Sequence, residues 1–398
     1  MKRSTYVALA LIASLSTCAA AAGRIHSPSL PGSRHWVGFS VITAFQSGHI
    51  QHPVANVTLD GAGNIYGTGE NGLSPDTYGG VYRIDAHGNE RDFYAFDGAN
   101  ATGPAAAVIF GRGGALYGTT VDGVYTITSS RKEKELEALN GGAEGGYSFS
   151  NLVRDAAGNY YGTASEGGFF GGQCQQVSVG CGVVFKVTPS GRYRVIHKFR
   201  FSDGASPDAG LTIDAQGNLY GTTAFGGSIG WGTVFELTTS GAIKVLYSFA
   251  NSKDGSQPHS SVVLDAAGNI YGTTQNGGFN GNQQCDGGCG VVFKVSPSGQ
   301  ESVLHSFTSV PDGAFPLAGL YLDSHGNLYG TTQQGGTGVG TVFELTTSGK
   351  EYRVLHSFTD GSDGAFPAAM LVADSAGRLY GTCEDGGVGA GTVFQITP

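Results

Sequence analysis

The sequence predicts an all-β fold, a seven-bladed β-propeller of four-stranded antiparallel blades. Three observations predict it. The tripeptide Tyr-Gly-Thr begins at Tyr66, Tyr117, Tyr161, Tyr220, Tyr271, Tyr329 and Tyr380, so one unit recurs seven times at a period of about 50 residues. Each unit holds four short segments rich in aliphatic, Thr and aromatic residues, bounded by Gly, Asn, Asp or Ser, which read as strands and turns. The seventh unit stops after its third strand, Gly391-Thr-Val-Phe-Gln-Ile-Thr, and the missing fourth stands at the other end as Ser40-Val-Ile-Thr-Ala-Phe45. Pairing the two closes a ring and leaves no strand edge exposed at the seam.

The clearest unit gives the elements in order. Strand A is Leu211-Thr-Ile and runs into the turn Asp214-Ala-Gln-Gly-Asn. Gly and Asn adopt positive φ there at little cost. Asp60, Asp155, Asp214, Asp265, Asp323 and Asp374 open that turn, and only unit two replaces it, with Phe110-Gly-Arg-Gly-Gly. Strand B carries Tyr-Gly-Thr, and Gly226-Gly227 leads to strand C, Gly232-Thr-Val-Phe-Glu-Leu. Strand D is Ile243-Lys-Val-Leu-Tyr-Ser-Phe249. No segment between them has a helical period of useful length.

These units resemble the Gloeo/Verruco (GloVer) repeats of bacterial exported proteins, whose core reads Gly-Asn-Leu-Tyr-Gly-Thr-Thr, Gly-Gly, Gly-Thr-Val-Phe-Glu-Leu. The resemblance covers residues 39–398, a single propeller domain behind a signal peptide (1–22) and an N-terminal extension (23–38). Unit two is the weakest copy, with no Gly-Gly and a charged strand D from Arg131 to Glu137. The resemblance implies export and a fold, and carries no catalytic residue or cofactor. The Asp-x-x-Gly-Asn-Leu-Tyr segment is also similar to NHL-type propellers, which are mainly binding platforms.

Composition agrees with a folded, exported chain. Gly accounts for 68 of 398 residues, but 40 % hydrophobic and 11 % aromatic content excludes a flexible linker. Only 13 Pro and no three-residue Gly period exclude collagen. With 22 basic against 31 acidic residues the net charge is -9, which argues against a nucleic-acid partner. Lys2 and Arg3, the apolar run Val7 to Leu15 and the small residues Ala19 to Ala22 read as an export signal too short to span a membrane. The rival reading is a lipid anchor at Cys18, in Leu15-Ser-Thr-Cys, although Thr17 is unusual before a lipidated Cys. No transmembrane segment follows, and the chain is expected to act as a monomer.

Cys174 and Cys181 lie seven apart, and Cys285 and Cys289 four apart, in loops that align. Each pair closes a small disulfide loop in an oxidising compartment, or contributes to a metal site, for which no neighbouring His or Cys completes the set. Cys383 is left over and reads as a small core residue. No cofactor and no metal site is expected.

Strand parity assigns the A–B and C–D turns to one face and the B–C and D–A loops to the other. The second face gathers the Gly-Gly loops, both Cys pairs and the insertions Phe169 to Gly180 and Phe279 to Gly288. Irregular loops on a rigid scaffold are where binding usually sits. Phe169, Phe170, Phe225, Trp231, Phe279, Phe315 and Phe366 fall in or beside these loops. They either form a platform for a sugar or a protein, or plug gaps between blades, with Trp231 and Phe170 favoured for binding. The Asp-Gly pairs at Asp97, Asp203, Asp254, Asp312 and Asp363 offer a ring of carboxylates, with Asn140-Gly141 and Ser47-Gly48 at the same place. Interchange of Asp, Asn and Ser points to turn formation, and Asp312 and Asp363 remain the acidic candidates. His197, His305 and His356 share a strand D slot with Tyr247 and read as repeat features. The expected function is an exported, non-catalytic binding module for a polysaccharide or an envelope protein. The alternatives are a secreted glycan hydrolase or lyase and a structural surface component.

Overall fold

The computed structural model describes residues 37–398 apart from 47–48, 71–77, 99–102, 105, 178, 279–284 and 286. The signal segment, Cys18 and Phe279 therefore lie outside the described residues. Val37 to Pro398 form one compact unit.

Seven four-stranded antiparallel sheets follow one another in sequence. Blade one is Thr58–Leu59, Ile65–Gly69, Gly80–Ile84 and Glu90–Ala95; blade four is Thr212–Ile213, Leu219–Thr223, Thr233–Leu237 and Ile243–Ser248. Blade seven takes strands A to C from Val372–Ala373, Leu379–Cys383 and Thr392–Thr397. Its fourth strand is Gly38–Ala44, paired with the last strand of the chain in the register Phe39 to Ile396 and Val41 to Phe394. The seam predicted from the two termini is thus formed.

The repeated residues have repeated jobs. The Gly of Tyr-Gly-Thr is required because the strand C ring lies across it. A Cβ on Gly221 would meet the Phe235 ring at 2.8 Å and Leu211 at 2.9 Å, and Gly162, Gly272, Gly330 and Gly381 are covered alike. The Thr then ties each blade to the next. Thr68, Thr119, Thr163, Thr222, Thr273, Thr331 and Thr382 each donate through Oγ1 to a backbone carbonyl leading into the following strand A. The last of these runs from Thr382 to Ala55, 327 residues earlier, and closes the circuit.

The Asp that opens the A–B turn caps it from within. Asp214 Oδ1 accepts from the Gln216 and Asn218 amides, and Oδ2 accepts from the Asn218 side chain and the Tyr220 hydroxyl. A register shift between strands C and D, as at Val234/Phe235, recurs in every blade and adds local twist. Between blades the packing is apolar: Val234, Phe249, Val262, Ile270 and Phe293 form one of seven such buried clusters. Two small additions escaped the strand pattern, a helical turn at Cys174–Val177 and a two-stranded hairpin at Asn140–Gly142 and Gly145–Gly146.

Candidate functional site: the B–C and D–A loop face

The loops on this face are stitched together before any side chain is considered. Ala205, Ser256, Ala314 and Ala365 in the D–A loops bridge Phe225, Asn276, Gln334 and Asp385 in the B–C loops. The next residue in each D–A loop has positive φ: His52, Tyr147, Ser206, Gln257, Phe315 and Phe366, with Gly103 in the equivalent place. At His52, Gly103, Ser206, Gln257, Phe315 and Phe366 the amide donates to one B–C loop and the carbonyl accepts from the next, as Phe315 does with Cys289 O and Gln333 N. Bulky residues in this backbone region are strained and are held there by the bonds around them.

This backbone register corrects one alignment. Counted from the positive-φ residue, the position of Asp312-Gly313 is held by Glu144-Gly145 and by His49-Ile50, in place of Asn140-Gly141 and Ser47-Gly48. Loop length varies between units, so counting from strand D misleads, whereas the bond to the B–C loop is constant. Side-chain volume confirms the match. Gly313 lies against Thr332 and Thr341, while Ile50 lies over Gly69 and Gly80 at the same two places.

Asp203, Asp254, Asp312 and Asp363 turn their carboxylates back into their own blade. Asp312 Oδ1 accepts from Thr308 N and Oγ1 and Oδ2 from His305 Nε2 at 3.0 Å. Asp363 repeats this with Thr359 and with His356 at 3.1 Å. Asp254 does so with Ala250, Ser252 and the Tyr247 hydroxyl. Hydrogen bonds hold Asp312 below the ordinary carboxyl value although burial pulls it up. Tyr247, His305 and His356 of the strand D slot are therefore hydrogen-bond partners of these aspartates.

The aromatic candidates divide. Phe170 and Trp231 are each 39 % exposed. Phe169 is part-buried beneath the Arg200 guanidinium, 4.7 Å from its ring centre, and packs with Phe225 on the cluster around Cys174 and Cys181. Phe315 packs on the cluster around Cys285 and Cys289, and Phe366 is part-buried in its loop. Both cysteine pairs are disulfides, Cys174–Cys181 and Cys285–Cys289, and Cys383 is a free, buried thiol.

Sequence reasoning missed part of the surface. Tyr78, Phe149, Val179, Ile229, Val310 and Val388 are exposed in addition to Phe170 and Trp231. It also missed Asp208 and His259, whose Oδ2 and Nδ1 lie 2.8 Å apart with both side chains 24 % exposed. They occupy the slot that follows the loop Pro, where Val54, Leu317 and Ala368 stand in other units. The signal was this departure from the repeat in two adjacent units. Just beyond, small residues crowd the axis. A side chain on Gly319 would meet Ser261 and Met370, which belong to blades that are not neighbours.

Among the described residues one His/carboxylate group could hold a metal ion, His49 with Glu90 and Asp92. On the opposite face an open cavity of about 340 Å³ is lined by Tyr321, Asp323, His325, Tyr329, Asp374 and Pro398. Its aspartates are engaged in the A–B turns.

Comparison with known proteins fits this repeat chemistry. A family model, the Gloeobacter/Verrucomicrobia repeat, matches residues 165–394, more than half of the chain. The chain belongs to the Gloeobacter/Verrucomicrobia repeat family. No curated protein matches it by sequence. Among solved structures, streptogramin B lyase is similar at 12 % identity and a TM-score of 0.60, over 91 % of this chain and 97 % of that one. The extracellular domain of a two-component system protein from B. thetaiotaomicron is similar at 12 % identity and a TM-score of 0.58. That match covers 90 % of this chain and 40 % of the other. Hydrazine synthase from Kuenenia stuttgartiensis is 15 % identical, with a TM-score of 0.54 over 85 % of this chain and 94 % of that one. At such identities the likeness is one of fold. In this member of the repeat family no helix among the described residues is long and apolar enough to cross a membrane. Its two disulfides favour an exported protein.

Proposed function

We propose that this repeat-family propeller is an exported, non-catalytic binding module whose B–C/D–A face takes a carbohydrate or protein ligand. One observation carries this reading. All eight exposed large apolar residues among those described, Tyr78, Phe149, Phe170, Val179, Ile229, Trp231, Val310 and Val388, lie in loops of that face. Exposed apolar groups confined to one face of the ring support that face as the interaction surface. The mixture of aliphatic with aromatic groups suits a protein surface at least as well as a sugar face. The test is a binding screen of the chain against oligosaccharides and envelope extracts, repeated with Trp231→Ala. Loss of about 2 kcal/mol, roughly thirtyfold in Kd, at unchanged Tm is expected for a central aromatic. Binding indifferent to Trp231 and Phe170 substitution would remove the support.

One observation favours a second reading, an enzyme. The Asp208–His259 pair breaks the repeat on the same face and has the form of an oriented general base. His259→Ala abolishing a hydrolytic or lyase activity at unchanged Tm would establish it.

A further inference from the structure

We propose that His49, Glu90 and Asp92 bind one divalent transition-metal ion of the Zn²⁺ class at the seam between blades seven and one. Their ligand atoms all lie within 4.8 Å of one another. Asp92 Oδ2 is 3.3 Å from His49 Nδ1, and Oδ1 accepts from the Ile50 amide at 3.1 Å. Glu90 Oε1 is buried with no hydrogen-bond partner among the described residues.

His49 and Asp92 set this junction apart, whereas the Glu90 slot also holds Glu in blades two and five, as Glu133 and Glu301. At the junction before blade six the same places hold Asp312, Tyr352 and Val354. There the Tyr352 hydroxyl donates to the Asp312 carbonyl oxygen, and the contact is neutral and satisfied. Against that junction the seam has a Glu for the Tyr, as blades two and five also have, an Asp for the Val, and an imidazole for the loop carboxylate. The Asp92 slot is Val195, Val245, Val303 or Val354 in blades three to six and Glu135 in blade two, so the pairing of that carboxylate with His49 is what sets this junction apart. On strand D, Glu90 and Asp92 are two residues apart and so share a face, beside the cluster that contains Phe45, Ile50 and Tyr82. Two carboxylates so placed repel, and an orphaned buried oxygen costs free energy. A divalent cation removes both penalties at once. One imidazole nitrogen with two carboxylate oxygens suits Zn²⁺ better than Ca²⁺, which prefers an all-oxygen shell. His49 is 46 % exposed, so the ion has an entry and water can complete its shell.

The site joins the segment just after the closing strand to strand D of blade one. Metal binding would therefore stabilise the closed ring by linkage. The experiment is titration of the metal-stripped full chain with ZnCl₂ by calorimetry and thermal shift, with EDTA reversal and CaCl₂ as comparison. One saturable Zn²⁺ per chain and a rise in Tm that EDTA reverses are expected. Asp92→Val restores the residue of four other blades and should weaken that Kd at least about tenfold. His49→Ala, in an exposed loop, gives the same test should Asp92→Val fail to fold. Absence of saturable Zn²⁺ binding, binding indifferent to both variants, or a site that takes Ca²⁺ and refuses Zn²⁺ would each overturn the assignment.

Discussion

Phe39 stacks flat on His356, with ring centroids 3.7 Å apart and planes 4° from parallel. The closing strand thus holds two blades, pairing with strand C of blade seven and packing a ring against strand D of blade six, Tyr352–Ser357. Tyr352 makes the same stack on His305, at 3.8 Å and 2°. The N-terminal segment therefore reproduces the contacts of the strand D of blade six, ring stack included.

Phe39→Ala should remove the stack and the contacts with Phe358 and Phe394. Burial and ring stacking together put the loss at about 2–4 kcal/mol. Urea unfolding followed by fluorescence would measure it, and an unchanged midpoint would show that this seam is not held by the ring.

Gly221→Ala forces a methyl group into the Phe235 ring. Overpacking of this kind costs about 1–3 kcal/mol. Gly241→Ala provides the control: it has open space around it but positive φ, so its loss reports backbone strain alone. A Gly221 variant as stable as wild type would mean that the ring can swing aside.

Acid should weaken the fold in two stages. Burial depresses His356 below its ordinary 6.5, outweighing the pull of Asp363 in the other direction. Its protonation is favoured in the unfolded chain, so stability is full above the unfolded value and falls as pH drops below about 6.5. Burial would raise Asp363, but bonds from Thr359 and His356 prevail and hold it below 3.8. Its contribution is present above the unfolded value and is lost as pH falls through the folded one. In Tm measured against pH, His356→Tyr, the residue type of Tyr247, should flatten the first stage. An unaltered slope below pH 6.5 would assign it to other groups.

The two disulfides close loops of seven and four residues. Chain entropy for such short loops puts each at roughly 2 kcal/mol. Replacing Cys174 and Cys181 together by Ala should therefore lower Tm modestly and leave the ring closed. Burial pushes the Cys383 thiol far above its ordinary value, so it should resist thiol reagents in the native state. Thiol titration of a chain lacking residues 1–36 should find no reactive group before unfolding and one after it. A reactive native thiol would contradict the burial of Cys383.

Legibility followed repetition. Tyr-Gly-Thr and Asp-x-x-Gly-Asn were readable because each blade demands the same local turn, the same bare strand B glycine and the same Thr. Trp231 and Phe170 were readable as surface candidates because they sit in the B–C loops. Phe169 and Phe225 occupy the same kind of sequence position, yet the disulfide cluster buries part of each, and nothing local announces that difference. Asp208 with His259 and His49 with Asp92 were hidden for another reason. Their partners are 51 and 43 residues away, on neighbouring blades.

By itself the sequence determined the blade count, the strand order and the exchange of a strand between the termini. These are properties of period and of local turn chemistry, which a chain displays along its length. The tertiary structure alone decided which departures from the repeat face one another. A His in a D–A loop, an Asp for a Val or an Asp beside a loop Pro is, along the chain, only a variant of the repeat. It becomes chemistry when ring closure sets its partner on the neighbouring blade a few ångströms away, a distance that only the folded ring imposes.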